Sequence, residues 1–196
     1  MVFPRSAADD SRPAAARKKA LRQQLRRRRA TRSDPDRQAL AARLAAAAHA
    51  PPLSSAHSVA AFVGVGDEPD TLPLVEALTR RGVRVLLPVV LPDLDLDWAW
   101  FDEAGSLAFT RYGLREPTGP RAGRHAVGAV DVVIVPAFAV DGDGRRLGQG
   151  GGCYDRALRR VSPDTPVLAV VFDDEVMTSS LPDEPHDRKV TGRLPN

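Results

Sequence analysis

The pattern of apolar and polar positions changes near residue 58. Before it, large apolar residues are sparse. Leu21 and Leu25, one helical turn apart in ARKKALRQQLRRRRATR, make a narrow stripe. Ser11 as N-cap with Pro13 in the first turn predicts a helix over 11–32; after the SDPD break, Ser33 or Asp34 with Pro35 starts a second through RQALAARLAAAAHA, which PPLSS stops. Neither helix is apolar all round, so both are expected to pack as arms against a body. Beyond residue 58 apolar runs alternate with helical segments. SVAAFVGV reads as a strand, TLPLVEALTRRG as a helix, and VRVLLPVV as a second buried strand ending at Pro88. LDLDWAWF alternates with period two and reads as a half-exposed strand, with a short partner near SLAFTRYG and a loop LREPTGPRAGRHAVG behind it. VDVVIVPAFAVD is a third buried strand, GGCYDRALRRV opens a helix, PVLAVVFD is a fourth strand, and EVMTSSLPDEPHDRKVTGRLPN is a polar, proline-punctuated tail.

Buried strands alternating with helices predict an α/β fold: a single-domain, Rossmann-like, mostly parallel sheet flanked by helices, with an antiparallel addition and an N-terminal basic helical arm. At 196 residues the chain has room for one substantial core. Residues 1–16 read as a flexible N-terminal segment and 17–196 as the domain. Apolar runs such as 130–140 fall short of the roughly 20 residues of a membrane span. MVFPRSAADDSRP carries acids and no apolar core, unlike a secretory signal. A lone cysteine, Cys153, excludes a disulfide framework and a cysteine-based zinc site. A cytoplasmic protein without a membrane partner is expected.

Charge sharpens the picture. Residues 1–43 hold 13 Lys/Arg against 4 Asp/Glu, a net of +9, whereas 44–196 hold 15 against 21, a net of −6. Such an arm points to nucleic acid, an anionic surface or a polyanionic small molecule. Aromatic residues make up 5% of the chain and none lies in RKKALRQQLRRRR, so no base-stacking platform accompanies the charge and no dedicated nucleic-acid partner is expected. Most of these arginines read as a solvated helix face.

Gly148, Gly150, Gly151 and Gly152 stand between the third strand and the following helix, where α/β sheets bind ligands. Without Cβ atoms, successive N–H groups can converge on an anion, with a helix N-terminus behind them and Arg145 and Arg146 beside them. The spacing fits neither a Walker A loop nor a dinucleotide fingerprint. A phosphate cradle and a flexible helix entry both stay open on spacing alone. Asp155 reads equally as a helix-dipole acid or a magnesium ligand. Glu184, His186 and Asp187 in DEPHD read as metal ligands or as a solvated loop. Cys153 is expected to be a small packed thiol rather than a nucleophile.

Taken together, VIVPAFAVDGDGRRLGQGGGCYDRAL resembles the signature of the 5-formyltetrahydrofolate cyclo-ligase (5,10-methenyltetrahydrofolate synthetase) family. KKALR, GDEPDT, GLREP and EPHD are similar to four further elements of that family, in its order, over roughly 17–191. The resemblance implies an ATP- and Mg2+-dependent cyclisation of 5-formyltetrahydrofolate, or its polyglutamate, to 5,10-methenyltetrahydrofolate with ADP and phosphate, by phosphoryl activation of the formyl oxygen. It implies that Lys18, Lys19, Ala20, Leu21 and Arg22 contact ATP, with Arg146, Leu147, Gly148, Gln149, Gly150, Gly151, Gly152, Cys153 and Tyr154 wrapping it. Val63, Glu68, Gln149, Gly150, Gly151, Gly152 and Cys153 would border the folate. Asp155 and Asp187 would hold magnesium, and Arg146 and Asp155 would carry the chemistry. Arg27, Arg28 or the loop arginines would meet a polyglutamate tail. The enzyme is expected to be a monomer. Gln149 and Cys153 stand where the family usually carries tyrosines, and VTGRLPN lacks its closing threonine. An ATP-binding relative with another substrate is the alternative. A sugar-phosphate or CoA-type binder would explain the glycines but not KKALR with EPHD.

Overall fold

The structure is a computed structural model and describes residues 13–102, 106–110 and 113–195. Strand β1 (Ser58–Ala60) sits inside a six-stranded sheet, between β2 (Arg84–Val90) and β6 (Val132–Pro136). β9 (Val167–Val170) and β11 (Gly192–Leu194) extend it beyond β6, and β3 (Leu96–Phe101) closes the other edge. All pairings are parallel except β2 with β3. The predicted parallel sheet with an antiparallel addition is thus present.

Because side chains alternate along a strand, the two faces build separate cores. Val59, Val85, Ile134 and Val170 face helices α2 (Asp34–Ala47) and α3 (Leu72–Arg80), burying Leu40, Leu44, Leu74 and Leu78. Ala60, Leu86, Val133 and Ala169 face the opposite side, with Trp98, Val127 and Leu158. Ser33 caps α2 by accepting from the Asp36 N–H, and Pro35 lies in its first turn, as the sequence predicts.

Helix α1 (Ala14–Ala30) docks elsewhere, on a small sheet of β7 (Ala139–Asp141), β8 (Arg146–Leu147) and β10 (Val176–Met177). Leu25 is fully enclosed there by Phe138, Ala139, Leu147 and Leu181, with Leu21 at the margin. Pro13, expected in the first turn of this helix, is instead its N-cap, with ψ of 144°; the expected cap Ser11 lies outside the described residues, as do residues 1–12 of the segment expected to be flexible, and Ala14 to Ala16 are helical.

The basic arm is not a solvated face. Arg29 is buried and grips Glu175 through Nε and Nη2 at 2.6 and 2.7 Å, and Phe172 and Phe138 cover it. Arg28 and Arg32 pair with Asp174, and Arg43 with Asp173. Four arginines of the basic segment, Arg28, Arg29, Arg32 and Arg43, therefore meet an acidic turn, Asp173–Glu175, within the same chain.

Other expectations need correction. The second strand runs through Pro88 to Val90. The Leu86 carbonyl faces the β1 side, where it accepts from Ala61, so Pro88, two residues on, lacks its N–H on the same side, past the end of β1. β3 is more buried than its alternation predicts because both its faces are covered, Leu96 and Trp98 in one core and Phe101 in the other, while Arg121 and Ala122 run along its outer edge. The partner expected near SLAFTRYG does not join β3; β4 (Leu107–Phe109) forms its own hairpin with β5 (Arg115–Pro117). The third strand divides into β6 and β7, and at the break the Ala137 carbonyl accepts from Arg29 instead of a neighbouring strand. The tail supplies β10 and β11, the latter anchored by Thr191, which bonds both ways with Val167.

Candidate active site

From β1 the chain moves to β2 on one side and later returns to β6 on the other. This reversal opens a crevice at the carboxyl ends of β1 and β6, where open parallel sheets bind ligands. A cleft of about 180 Å³ lies there, walled by Phe62 and Val63 beyond β1, Pro88 and Val90 of β2, Pro136 of β6 and the glycine loop. A second cavity of about 210 Å³ adjoins it, bounded by Ala15, Lys18 and Arg22 of α1 and by Glu184, His186 and Asp187 of the tail. Arg146, Gly148, Gly150, Gly152 and Asp155 line both.

The glycine loop needs its glycines. A Cβ on Gly148 would stand 2.7 Å from Arg146 Nη1, and Gly150 and Gly152 have φ of 103° and 70°, which side chains resist. Among the described residues, the backbone N–H groups of Gly148 to Gly152 donate to no protein acceptor. Cations surround them. Arg22 Nε donates to the Gly148 carbonyl at 2.7 Å, and Arg156 Nη2 to the Gly151 carbonyl at 2.8 Å. Arg146 pairs with Asp155 Oδ1 at 2.7 Å, while its Nε is buried without a partner. The following helix, α4 (Cys153–Ala157), has five residues, so the expected contribution of a helix N-terminus is slight and the arginines supply the field. Burial and the neighbouring Arg26 lower the affinity of Arg22 for its proton.

The second cavity carries hard oxygen donors. Oxygen or nitrogen atoms of Glu184, His186 and Asp187 lie within 4.8 Å of one another. Lys18, buried, donates to both Glu184 Oε2, at 2.7 Å, and Asp187 Oδ2. Burial alone would lower the Lys18 ammonium, but its bonds to Asp187 and Glu184 outweigh that and raise it. Asp187 is the converse: burial pushes its carboxyl up, while Lys18 and the Glu184 N–H draw it below the ordinary range. Carboxylates of this kind suit a magnesium ion that keeps part of its water. Five free N–H groups beside Arg22 and Arg146 suit a polyphosphate. Both groups fit the residues present.

The cleft is mostly apolar, with few polar fixtures. Glu68 accepts from Gln149 Nε2 at 2.8 Å, and Gln149 Oε1 accepts from Arg26 at 3.1 Å. Glu116 accepts from the Val90 N–H at 3.0 Å. Burial, then the Glu68 charge, push the Tyr154 phenol above its usual range.

Every residue expected to border the folate lines this cleft: Val63, Glu68, Gln149, Gly150, Gly151, Gly152 and Cys153. Of those expected around ATP, Lys18, Arg22, Arg146, Leu147, Gly148, Gly150 and Gly152 line the second cavity, whereas Gln149, Gly151, Cys153 and Tyr154 line only the first. Lys19 and Ala20 face solvent, and Leu21 packs against the core under α1. Asp155 and Asp187 share the second cavity, yet Asp155 is tied to Arg146 and stands outside the Glu184–His186–Asp187 cluster. Arg27 is exposed and Arg28 is engaged with Asp174, so neither borders the cleft. Phe62, Val90 and Leu96 are unanticipated walls of the cleft, and Arg115 and Glu116 of GLREP and Pro136 of VIVPAF line it as well, with no part in the expected site.

The sequence model of the 5-formyltetrahydrofolate cyclo-ligase family matches residues 14–193. The chain belongs to that family. It is 43% identical over 142 residues to a 5-formyltetrahydrofolate cyclo-ligase of Mycolicibacterium smegmatis, covering 70% of this chain and 72% of the relative. To the Escherichia coli protein of the same name it is 40% identical over 111 residues, 56% of this chain and 61% of that one. The solved structure of 5,10-methenyltetrahydrofolate synthetase from Aquifex aeolicus superposes with a TM-score of 0.76 at 26% identity, covering 91% of this chain and 90% of the other. The expected family, α/β fold and enzyme class therefore hold. Among the described residues no helix is long and apolar enough to cross a membrane.

Proposed function

We propose that the chain closes 5-formyltetrahydrofolate to 5,10-methenyltetrahydrofolate at the expense of ATP with magnesium, the folate in the apolar cleft and the triphosphate in the adjoining cavity. The observation that carries this reading is the shared wall: five unpartnered N–H groups with Arg146 between an apolar cleft and an acid-lined, cation-flanked cavity. ATP supplies the γ-phosphoryl that makes the formyl oxygen a leaving group, so that N10 can bond to the formyl carbon and give up its proton to the phosphate that departs as the C–O bond breaks. The residues have correspondingly simple work. Lys18 and Arg22, one helical turn apart, neutralise phosphate charge. The glycine N–H groups and Arg146 stabilise the charge that builds on the transferred group, in a site that already holds them in place. Glu68 accepts hydrogen bonds from the ring of the substrate, taking the place that Gln149 fills. Asp155 and Asp187 hold the metal, with Glu184 beside them. The cleft walls keep water from the activated carbon.

Purified protein with 5-formyltetrahydrofolate and MgATP is expected to produce the absorbance of the methenyl product and one phosphate per turnover. Asp155→Asn should lower the rate about 100-fold or more, by loss of charge at the transferring phosphate. ATP binding without product would sink the reading and leave an ATP-binding relative with another substrate.

A further inference from the structure

One cation of the apolar cleft is left over. Arg115, on β5, lines the cleft and is half-buried, and its guanidinium has no hydrogen bond or ion pair among the described residues. What it meets is the ring of Phe109 across the hairpin, 5.9 Å to the centroid, a side chain that is itself 77% exposed. The other arginines near the cleft are engaged: Arg146 with Asp155, and Arg156 with the Gly151 and Leu94 carbonyls. The two cleft carboxylates are engaged as well, Glu68 by Gln149 and Glu116 by the Val90 N–H. A half-buried guanidinium at an apolar wall, unpaired among the described residues, is free to take an incoming counter-charge.

Its place defines that counter-charge. The cleft crosses the strand ends of β6, β1 and β2, and neighbouring strands lie about 4.8 Å apart, so it spans roughly 10 Å. The glycine loop and Arg146 stand on the β6 flank. The hairpin bearing Arg115 packs on β2 and β3, at the opposite flank. A ligand whose reacting end lies at the loop therefore ends at Arg115.

We propose that Arg115 is a specificity-determining residue that binds a carboxylate at the far end of the substrate, the glutamyl end of a folate, through donors that none of the described residues uses. A planar guanidinium can meet a carboxylate with two parallel hydrogen bonds. Phe109 offers the connecting part of the ligand an apolar surface beside it. This inference rests on the proposed reaction and adds to it how one end of the substrate is chosen.

The test compares 5-formyltetrahydrofolate with 5-formyltetrahydropteroate, which lacks the glutamate, in wild type, Arg115→Gln and Arg115→Lys. Wild type is expected to prefer the folate by about tenfold or more, chiefly in KM, as one charge-assisted contact gives. Arg115→Gln should lose that preference and Arg115→Lys should keep part of it. An equal preference in wild type and Arg115→Gln, or none in wild type, overturns the proposal. Calorimetric binding of the two ligands reads the same preference without turnover. A protein that binds with the Arg115-dependent preference but forms no methenyl product would refute the proposed reaction and not the anchor.

Discussion

Two arginine–carboxylate pairs in this protein have nearly the same geometry and opposite meanings. Arg29 holds Glu175 at 2.6 Å, with side chains 2% and 0% exposed; Arg146 holds Asp155 at 2.7 Å, with 3% and 19%. Around Arg29 the bonding leaves no buried atom of the pair without a partner: Glu175 Oε2 also accepts the Phe172 N–H, and the Ala137 carbonyl takes Arg29 Nη2. Around Arg146 it is incomplete, since Nε is buried without an acceptor and two cavities open on the residue. A buried ion pair alone does not mark a site. Nor does an orphaned donor alone, for Arg32 Nε and Trp98 Nε1 are also buried without a partner and line neither cavity; the two cavities that meet at Arg146 do.

The comparison breaks most visibly at Arg29. Arg29→Met should destabilise the fold by about 3–5 kcal/mol, because Glu175 is left charged and enclosed, and Arg29→Met with Glu175→Leu should recover much of that. Urea denaturation of both variants measures this; equal stability of the single variant and wild type would remove Arg29 from the structural side. Arg146→Gln should show the reverse emphasis, a loss of about 100- to 1,000-fold in kcat with the fold retained, read by steady-state kinetics beside the same denaturation curves. A smaller effect sharpens the contrast. Asp95, buried between Arg160 and Arg124, belongs with Glu175 rather than Asp155, for it lines neither cavity. Bonds from Arg160, then from the Leu96 N–H and Arg124, hold its carboxyl at about 2 against the opposition of burial. Its contribution, about 2 kcal/mol, is therefore complete above the ordinary carboxylate range and lost as pH falls through about 2. Asp95→Asn should cost about that much at neutral pH, and the cost should fade in acid. A constant penalty at all pH values would show that packing, not charge, is the cause.

How far the sequence carries follows the range of the interactions. Valine-rich runs flanked by turn residues announce buried parallel strands, because burial on both faces leaves no polar alternation. The Ser33 cap is local and was readable for that reason. β8 and β10, two residues each, exist through their pairing with β7 and have no pattern of their own. The burial of Arg29 was hidden because its partner is 146 residues away. In KKALR the motif named five consecutive positions, yet a helix turns roughly 100° per residue, so only Lys18 and Arg22 reach the cavity. Arg115 lies within GLREP, but nothing local sets it apart from the other loop arginines; what singles it out is its place on the cleft without a partner among the described residues.

The glycine loop is a partition with a chamber on each side, and Gly148, Gly150 and Gly152 belong to both. Pressure applied to one face of so thin a divider is felt on the other. Whatever factor an occupant of one chamber imposes on affinity in the next, the neighbour must return in equal measure. With no side chains at those three positions, only the backbone separates the two chambers there.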